Sequence, residues 1–242
     1  MYATDIFNII DELVPRNYAL ENDNIGYFGK NYDNLDIKNI KVIMDLLPRE
    51  DLKFNSGDLV ISHHPPLFMP KTPTYVVHSN WDIVSGGAND ALAYYLGLKP
   101  ISIFHKQTGI GRICSTTRTL DQFLALASYK FGSENIRLVH EGDFNRRLRK
   151  IAIVSGFGLS NNDFIKLAKD RSVDAFVSGD LTHSNAILAK KLEVTLIDIA
   201  HHVIELPGLF ALTELLRKNG EIDVPVEMVD EGVPWKYIYA DF

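Results

Sequence analysis

Gly57-Asp58-Leu59-Val60-Ile61-Ser62-His63-His64-Pro65-Pro66 carries an apolar core-strand pattern into two adjacent imidazoles and a proline stop. A strand end is a rigid mount, and successive side chains there point to opposite faces. Two neighbouring histidines can therefore reach two different metal ions, or one ion if the backbone turns. Pro65 and Pro66 drive the chain out of the sheet and stiffen the turn.

The same grammar runs outward from this segment. Residues 4–14 space apolar groups at helical intervals behind Thr4 and Asp5. Residues 40–44, 59–62 and 101–104 read as strands, and 82–96 as one helix containing Gly86-Gly87 and ending at Gly97. The later half restarts with strands at 151–154, 175–177 and 194–199 and helices at 161–170, 184–192 and 205–218. Strands alternating with helices predict an α/β fold. It is expected as two similar α/β units with mixed, largely parallel sheets packed around a shared inter-domain metal cleft. The expected division is 1–116 plus about 214–242 for the first unit and 117–213 for the second. In each half a strand ends in a polar turn, Ser62-His63-His64 or Ser178-Gly179-Asp180, and a later strand ends at His105 or His201. Ligands of open α/β sheets favour the carboxyl ends of strands.

Composition narrows the function classes. The 242 residues are 46% hydrophobic and 23% charged, enough for a sizeable core. A net charge of −6 and a pI near 5.7 leave no general footprint for nucleic acid or anionic membrane. The basic run Arg146-Arg147-Leu148-Arg149-Lys150 reads as a solvated approach to a strand. Cys114 stands alone, so no intramolecular disulfide is available, and it reads as a buried apolar residue in a reducing compartment. No secretory signal or membrane-length apolar run is evident, and the expected location is the cytoplasm.

Three clusters carry possible chemistry: Ser62-His63-His64; His78-Ser79-Asn80-Trp81-Asp82; and Asp198-Ile199-Ala200-His201-His202-Val203-Ile204-Glu205. The four-residue step from His201 to Glu205 puts both side chains on one helical face. Each piece has a bland reading: a chance pair, a helix cap at Asp82, a surface ion pair at His201 and Glu205. Their combination does not, because four of the eight histidines fall in adjacent pairs behind apolar strands in separate halves. Burying such pairs without partners is costly. Imidazoles mixed with carboxylates suit Zn, Fe, Mn, Co or Ni better than Mg or Ca, and bridging carboxylates favour two divalent ions over one.

At these residues the chain resembles the Nif-three-like family, whose members carry the label GTP cyclohydrolase 1 type 2 homologue. The matching stretches are Asp23-Asn24-Ile25-Gly26, Ser62-His63-His64-Pro65-Pro66-Leu67-Phe68, His78-Ser79-Asn80-Trp81-Asp82 and Gly86-Gly87-Ala88-Asn89-Asp90. In the second half they are Val177-Ser178-Gly179-Asp180 with His183, and Ala200-His201-His202-Val203-Ile204-Glu205. The resemblance implies two similar α/β domains, a two-metal site between them and a toroidal homohexamer. It makes His63, His64, Asp82, His201 and Glu205 the metal ligands, with Glu205 bridging. Departures are Ala200 for the family's usual glycine, Ile204 for its serine or threonine, and Ser79 for its threonine. The domain inserted in longer members is absent.

The leading expectation is a metal-dependent hydrolase acting on a small molecule, with Asp180 and His183 as the acid–base pair. His78 either orients Asp82 or touches a metal, His105 and His202 line the cleft, and His140 lies at the surface. No Gly-x-x-x-x-Gly-Lys-Ser/Thr pattern marks a nucleotide site, so phosphoesters, cyclic amides and purine rings all stay open. The rivals are a metal-stabilised oligomeric adaptor without turnover and a nucleic-acid-associated ring. The acidic balance argues against the ring, and no membrane partner is expected.

Overall fold

The computed structural model describes residues 1–235 except Asn31 and Asp33. The first part contains α1 (Ala3–Leu13), β1 (Gly26–Phe28), β2 (Asn39–Ile43), α2 (Pro48–Asp51), β3 (Asp58–Ser62) and β4 (Thr74–Val76). Then come α3 (Ser79–Ile83), α4 (Ala88–Tyr95), β5 (Lys99–His105), β6 (Ile110–Ser115), α5 (Leu120–Phe131) and β7 (Ile136–Val139). The last part holds β8 (Lys150–Ile153), α6 (Asn162–Asp170), β9 (Ala175–Ser178), α7 (His183–Leu192), β10 (Leu196–Ile199), α8 (His201–Arg217) and β11 (Val226–Met228).

These elements make a mixed α/β fold with two mixed sheets, as the sequence predicts. One has the order β1-β4-β3-β2-β11 and the other β5-β6-β8-β9-β10-β7. In the first sheet β11, β2, β3 and β4 run parallel and only β1 pairs antiparallel. In the second, β8, β9 and β10 run parallel while β5, β6 and β7 pair antiparallel. β5 and β6, which fall within residues 1–116, hydrogen-bond in the second sheet, so the changeover between sheets lies near Gly97.

Helix α1 buries Ala3, Ile6, Phe7 and Ile10 against the first sheet's core, the face its apolar spacing selects. Full burial of each large side chain is worth about 1.5–3 kcal/mol. Cys114 is buried on β6, as expected. Helix α5, which the sequence reading leaves out, starts in a capping box between Thr119 and Gln122.

The single helix expected over 82–96 is two helices. Gly86 takes φ +81°, and a Cβ on Gly87 would stand 1.9 Å from the Trp81 carbonyl oxygen. The chain therefore breaks between α3 and α4, which leaves Asp82 on a short helix of its own. The last helix begins at His201, four residues ahead of expectation, and tolerates Pro207 in its interior. Helices α4 and α8 form the seam between the cores. Ala88, Leu209, Leu212 and Leu216 pack in the first core, while Leu92, Leu96 and Ile204 pack in the second. At Gly208 the two helices come so close that a Cβ would lie 2.6 Å from that of Ala88.

Candidate metal centre

Parallel pairing of β2 with β3 sets the first ligand mount. The pairing continues past the strands: His63 N–H donates to Ile43 O at 3.0 Å and His64 N–H to Met44 O at 2.9 Å. Ser62 Oγ donates to His64 O at 2.7 Å and fixes the turn before Pro65. Asp82 comes from α3, whose place is set by Trp81 Nε1 donating to Gly208 O at 3.1 Å. Asn89 ties this region to the second sheet: its Nδ2 donates to Asp82 O at 2.8 Å, and its Oδ1 accepts from Ser155 N–H at 2.9 Å. The head of α8 delivers His201 and Glu205 one turn apart.

These side chains meet around Glu205, which is 4% exposed. Its Oε1 lies 3.7 Å from His63 Nε2, and its Oε2 lies 3.2 Å from both His64 Nε2 and His201 Nε2. Asp82 Oδ1 stands 3.8 Å from His63 Nε2. All five residues named from the sequence as ligands are brought together. His78 joins them at the rim, its ring centroid 5.2 Å from that of His63 and 5.4 Å from that of His64.

The imidazoles share one orientation. His63 Nδ1 donates to Val77 O at 2.9 Å, His64 Nδ1 to Asp45 Oδ1 at 2.9 Å, and His201 Nδ1 to Asp180 Oδ2 at 2.7 Å. His78 Nδ1 donates to Asp23 Oδ1 at 2.8 Å. Tying Nδ1–H to an oxygen leaves Nε2 to offer its lone pair to a cation. For His63, His64 and His201 that nitrogen faces Glu205.

Electrostatics within the cluster follows from the same contacts. Burial lowers the histidines, but the carboxylates of Asp45 and Glu205 take His64 up to about 11, and those of Asp180 and Glu205 take His201 up to about 10. Burial raises Glu205, yet His201, His63 and His64 hold it well below the usual range. Burial pushes the Asp82 carboxyl up, with His63 opposing. Asp23 is raised by burial but held at about 2 by bonds from His78 and Ser79. The pocket thus stabilises positive charge, whether brought by protons or by cations.

A metal fits this donor set. His63 Nε2, Asp82 Oδ1, His201 Nε2 and Glu205 Oε2 are buried without a hydrogen-bond partner. Leaving such atoms unpaired costs about 1–3 kcal/mol each, and more when charged. Two groups satisfy the spacing of a shared ion: His63, His64 and His78, and His64, His201 and Glu205. Four imidazoles with two carboxylates match borderline divalent cations.

The fold gives the other residues singled out in the sequence separate surroundings. Asp180 adopts φ 62° in the turn after β9 and holds His201 rather than facing His183. His183 opens α7, is exposed, and is not among the imidazoles gathered at Glu205. His202 turns away and donates Nε2–H to Asp230 at 2.8 Å. His105 bonds Thr108 at 2.7 Å, and His140 is half-buried against Thr195. Within the basic run Arg146 bonds Thr195 Oγ1 at 2.7 Å, while Arg147 and Arg149 are exposed.

Sequence reasoning missed Asp45 as the oxygen behind His64, and the demand on Gly156. A Cβ at Gly156 would lie 2.1 Å from Glu205 Oε1, so only glycine lets this turn lie over the carboxylate. A cavity of about 310 Å³ opens beside His201, with Asp180, Arg137, Asn135 and Trp235 among its lining residues. A larger apolar groove of about 770 Å³ on α4 and α8 contains none of the candidate ligands.

Comparison with known proteins identifies the family and supports the fold. A Methanothermobacter thermautotrophicus relative named GTP cyclohydrolase 1 type 2 homolog is 39% identical over 98% of this chain and 96% of its own. A Clostridium perfringens protein of the same name is 31% identical over 98% of this chain and 100% of its own. Reduced HcgD from Methanocaldococcus jannaschii superposes with a TM-score of 0.81 at 28% identity, covering 94% of this chain and 97% of that one. Residues 71–232 match the family described as Duf34/NIF3 (NGG1p interacting factor 3). With two thirds of its length matched and close relatives spanning nearly all of it, the chain belongs to the Duf34/NIF3 family.

Proposed function

We propose that this chain is a two-metal hydrolase acting on a small-molecule substrate, with His63, His64, Asp82, His201 and Glu205 holding two divalent cations between the ends of its sheets. One observation carries the reading. The two oxygens of Glu205 face different imidazoles, Oε1 towards His63 and Oε2 towards His64 and His201, and these three rings are tied outward through Nδ1. That arrangement suits a carboxylate shared by two ions. When bound, such a pair supplies a water acidified towards neutrality and a Lewis acid for a reacting carbonyl or phosphoryl oxygen.

The chain's own residues divide the remaining work. Asp45, Val77 O and Asp180 keep the imidazoles in the tautomer that presents Nε2 inward. Asp180 stands at the rim, 43% exposed, where it can also take or return a proton beside the cavity next to His201. His183, exposed at the head of α7, is the second candidate for that proton step. The cavity's mixed polar and aromatic lining accommodates a small ring or phosphorylated compound. The relatives' name makes purine nucleotides one class to test, beside phosphoesters and cyclic amides. The toroidal homohexamer implied by the resemblance is part of the proposal, with light scattering as its check.

Elemental analysis of purified protein, followed by a metal-replete screen over those three classes, tests the reading. The expected result is two ions per chain and turnover that Glu205→Ala abolishes, together with loss of at least one ion. Full metal content in Glu205→Ala refutes the bridging role. Two bound ions with no turnover anywhere would instead favour a metal-stabilised assembly protein.

A further inference from the structure

The last described residues cross the rim of the candidate centre. β11 pairs in parallel with β2, and Val229 N–H donates to Val42 O at 2.9 Å, so the chain leaves the sheet beside the end of β2. Asp45 stands there, 37% exposed, in a loop with no strand partner of its own. Glu231 Oε1 accepts the Asp45 N–H, and Asp45 Oδ1 accepts from His64 Nδ1 at 2.9 Å. One residue earlier, Asp230 Oδ1 accepts from His202 Nε2 at 2.8 Å and from Gly232 N–H at 2.9 Å. The segment is therefore pinned at both sides, to the loop behind His64 and to the residue following His201.

A carboxylate orients an imidazole only as well as its own backbone is held. Asp45 has left the β2–β3 ladder, and the bond to Glu231 fixes its amide. If that bond is lost, the Asp45 carboxylate can swing and His64 can rotate about its Cβ–Cγ bond. The entropy of ordering His64 is then borne at the moment of metal capture.

We infer that Glu231 is a positioning residue of the metal centre, acting on His64 through Asp45. This rests on the two-metal reading above. The chain of contacts Glu231–Asp45–His64 spans 186 and then 19 residues of sequence, so no local motif encodes it.

The test is cobalt(II) titration of the full chain against a competing chelator, read by affinity and by the d–d spectrum. Glu231→Ala is expected to weaken one cobalt site about tenfold and alter its spectrum, within the range known for residues behind metal ligands. Glu231→Gln keeps an acceptor oxygen and is expected to restore both readouts. In an Asp45→Ala background, Glu231→Ala is expected to add nothing. Wild-type cobalt affinity in a folded Glu231→Ala protein overturns the inference, as does additivity with Asp45→Ala or failure of Glu231→Gln to rescue. Should Glu231→Ala not fold, the Gln variant and the Asp45→Ala spectrum still decide. A wild-type chain that binds no cobalt removes the metal reading itself, and this inference with it.

Discussion

Two clusters of buried charge sit close together in this molecule, and only one is complete. Arg112 and Asp90 are 6% and 7% exposed, and they pair through Nε to Oδ1 at 2.6 Å and Nη2 to Oδ2 at 3.1 Å. Arg112 also donates to the carbonyls of Ile83, Val84, Gly109 and Gly111, while Asp90 accepts from Gly86 N–H. This joint fastens the α3–α4 turn, and hence Asp82, to β6. The cluster around Glu205 is as buried, but four of its polar atoms have no partner. Similar residue types at similar depth thus serve opposite ends. A finished ion pair is architecture, whereas an unfinished one keeps donor atoms that could serve a cation.

The sharpest way to break this contrast is Arg112→Ala. Removing one member of a buried pair strands the other, and a loss of about 3–5 kcal/mol is expected in chemical denaturation. Gly156→Ala, strained at φ +77°, should cost less, about 1–2 kcal/mol, the left-handed penalty of a non-glycine residue. It should also displace Glu205, lowering metal affinity at least tenfold by chelator competition. If instead it destabilises the chain like Arg112→Ala, the two clusters do not differ as argued.

Acidity sharpens the comparison further. With His64 at about 11 and His201 at about 10, both rings carry protons at neutral pH in the metal-free chain, and a cation must displace them. Zinc affinity is expected to rise from pH 6 to 9, about tenfold per unit for each proton released. Stability of the metal-free chain runs the other way. Both folded values exceed the ordinary 6.5, so the contribution is full below that pH and drains away as pH climbs through 10 to 11. A flat zinc affinity would show that the rings are already free.

The smallest effect concerns Cys114. Burial and then the Asp90 charge push its thiol up to about 12. It should resist thiol reagents at pH 8 in the wild type and react in Arg112→Ala, giving a local reading of whether the joint has opened.

What the sequence made legible were features written at short range. Apolar runs ending in polar pairs disclosed β3 and the head of α8, and with them His63, His64, His201 and Glu205, while Asp82 was legible in the separate cluster that opens α3. Gly86-Gly87 was visible too, but whether a helix absorbs or obeys two glycines depends on the Trp81 carbonyl that no pattern announces. The supports of the site were hidden for a similar reason. Asp45, Asp23 and Glu231 are single carboxylates in loops, joined to their partners over 19, 55 and 186 residues. Asp180 and His183 were both legible, but not their separate surroundings: neighbours in sequence look like a pair, while the fold sets Asp180 against His201 and leaves His183 exposed.

Helix α8 carries a consequence beyond the site. Its first turns pack into one core and its later turns into the other, so neither half keeps a finished interior if the helix peels away. With α8 shared by both cores, the two halves are expected to unfold together. Heat should therefore meet it as one cooperative body, and the crevice at the helix's head stays intact until the whole chain gives way.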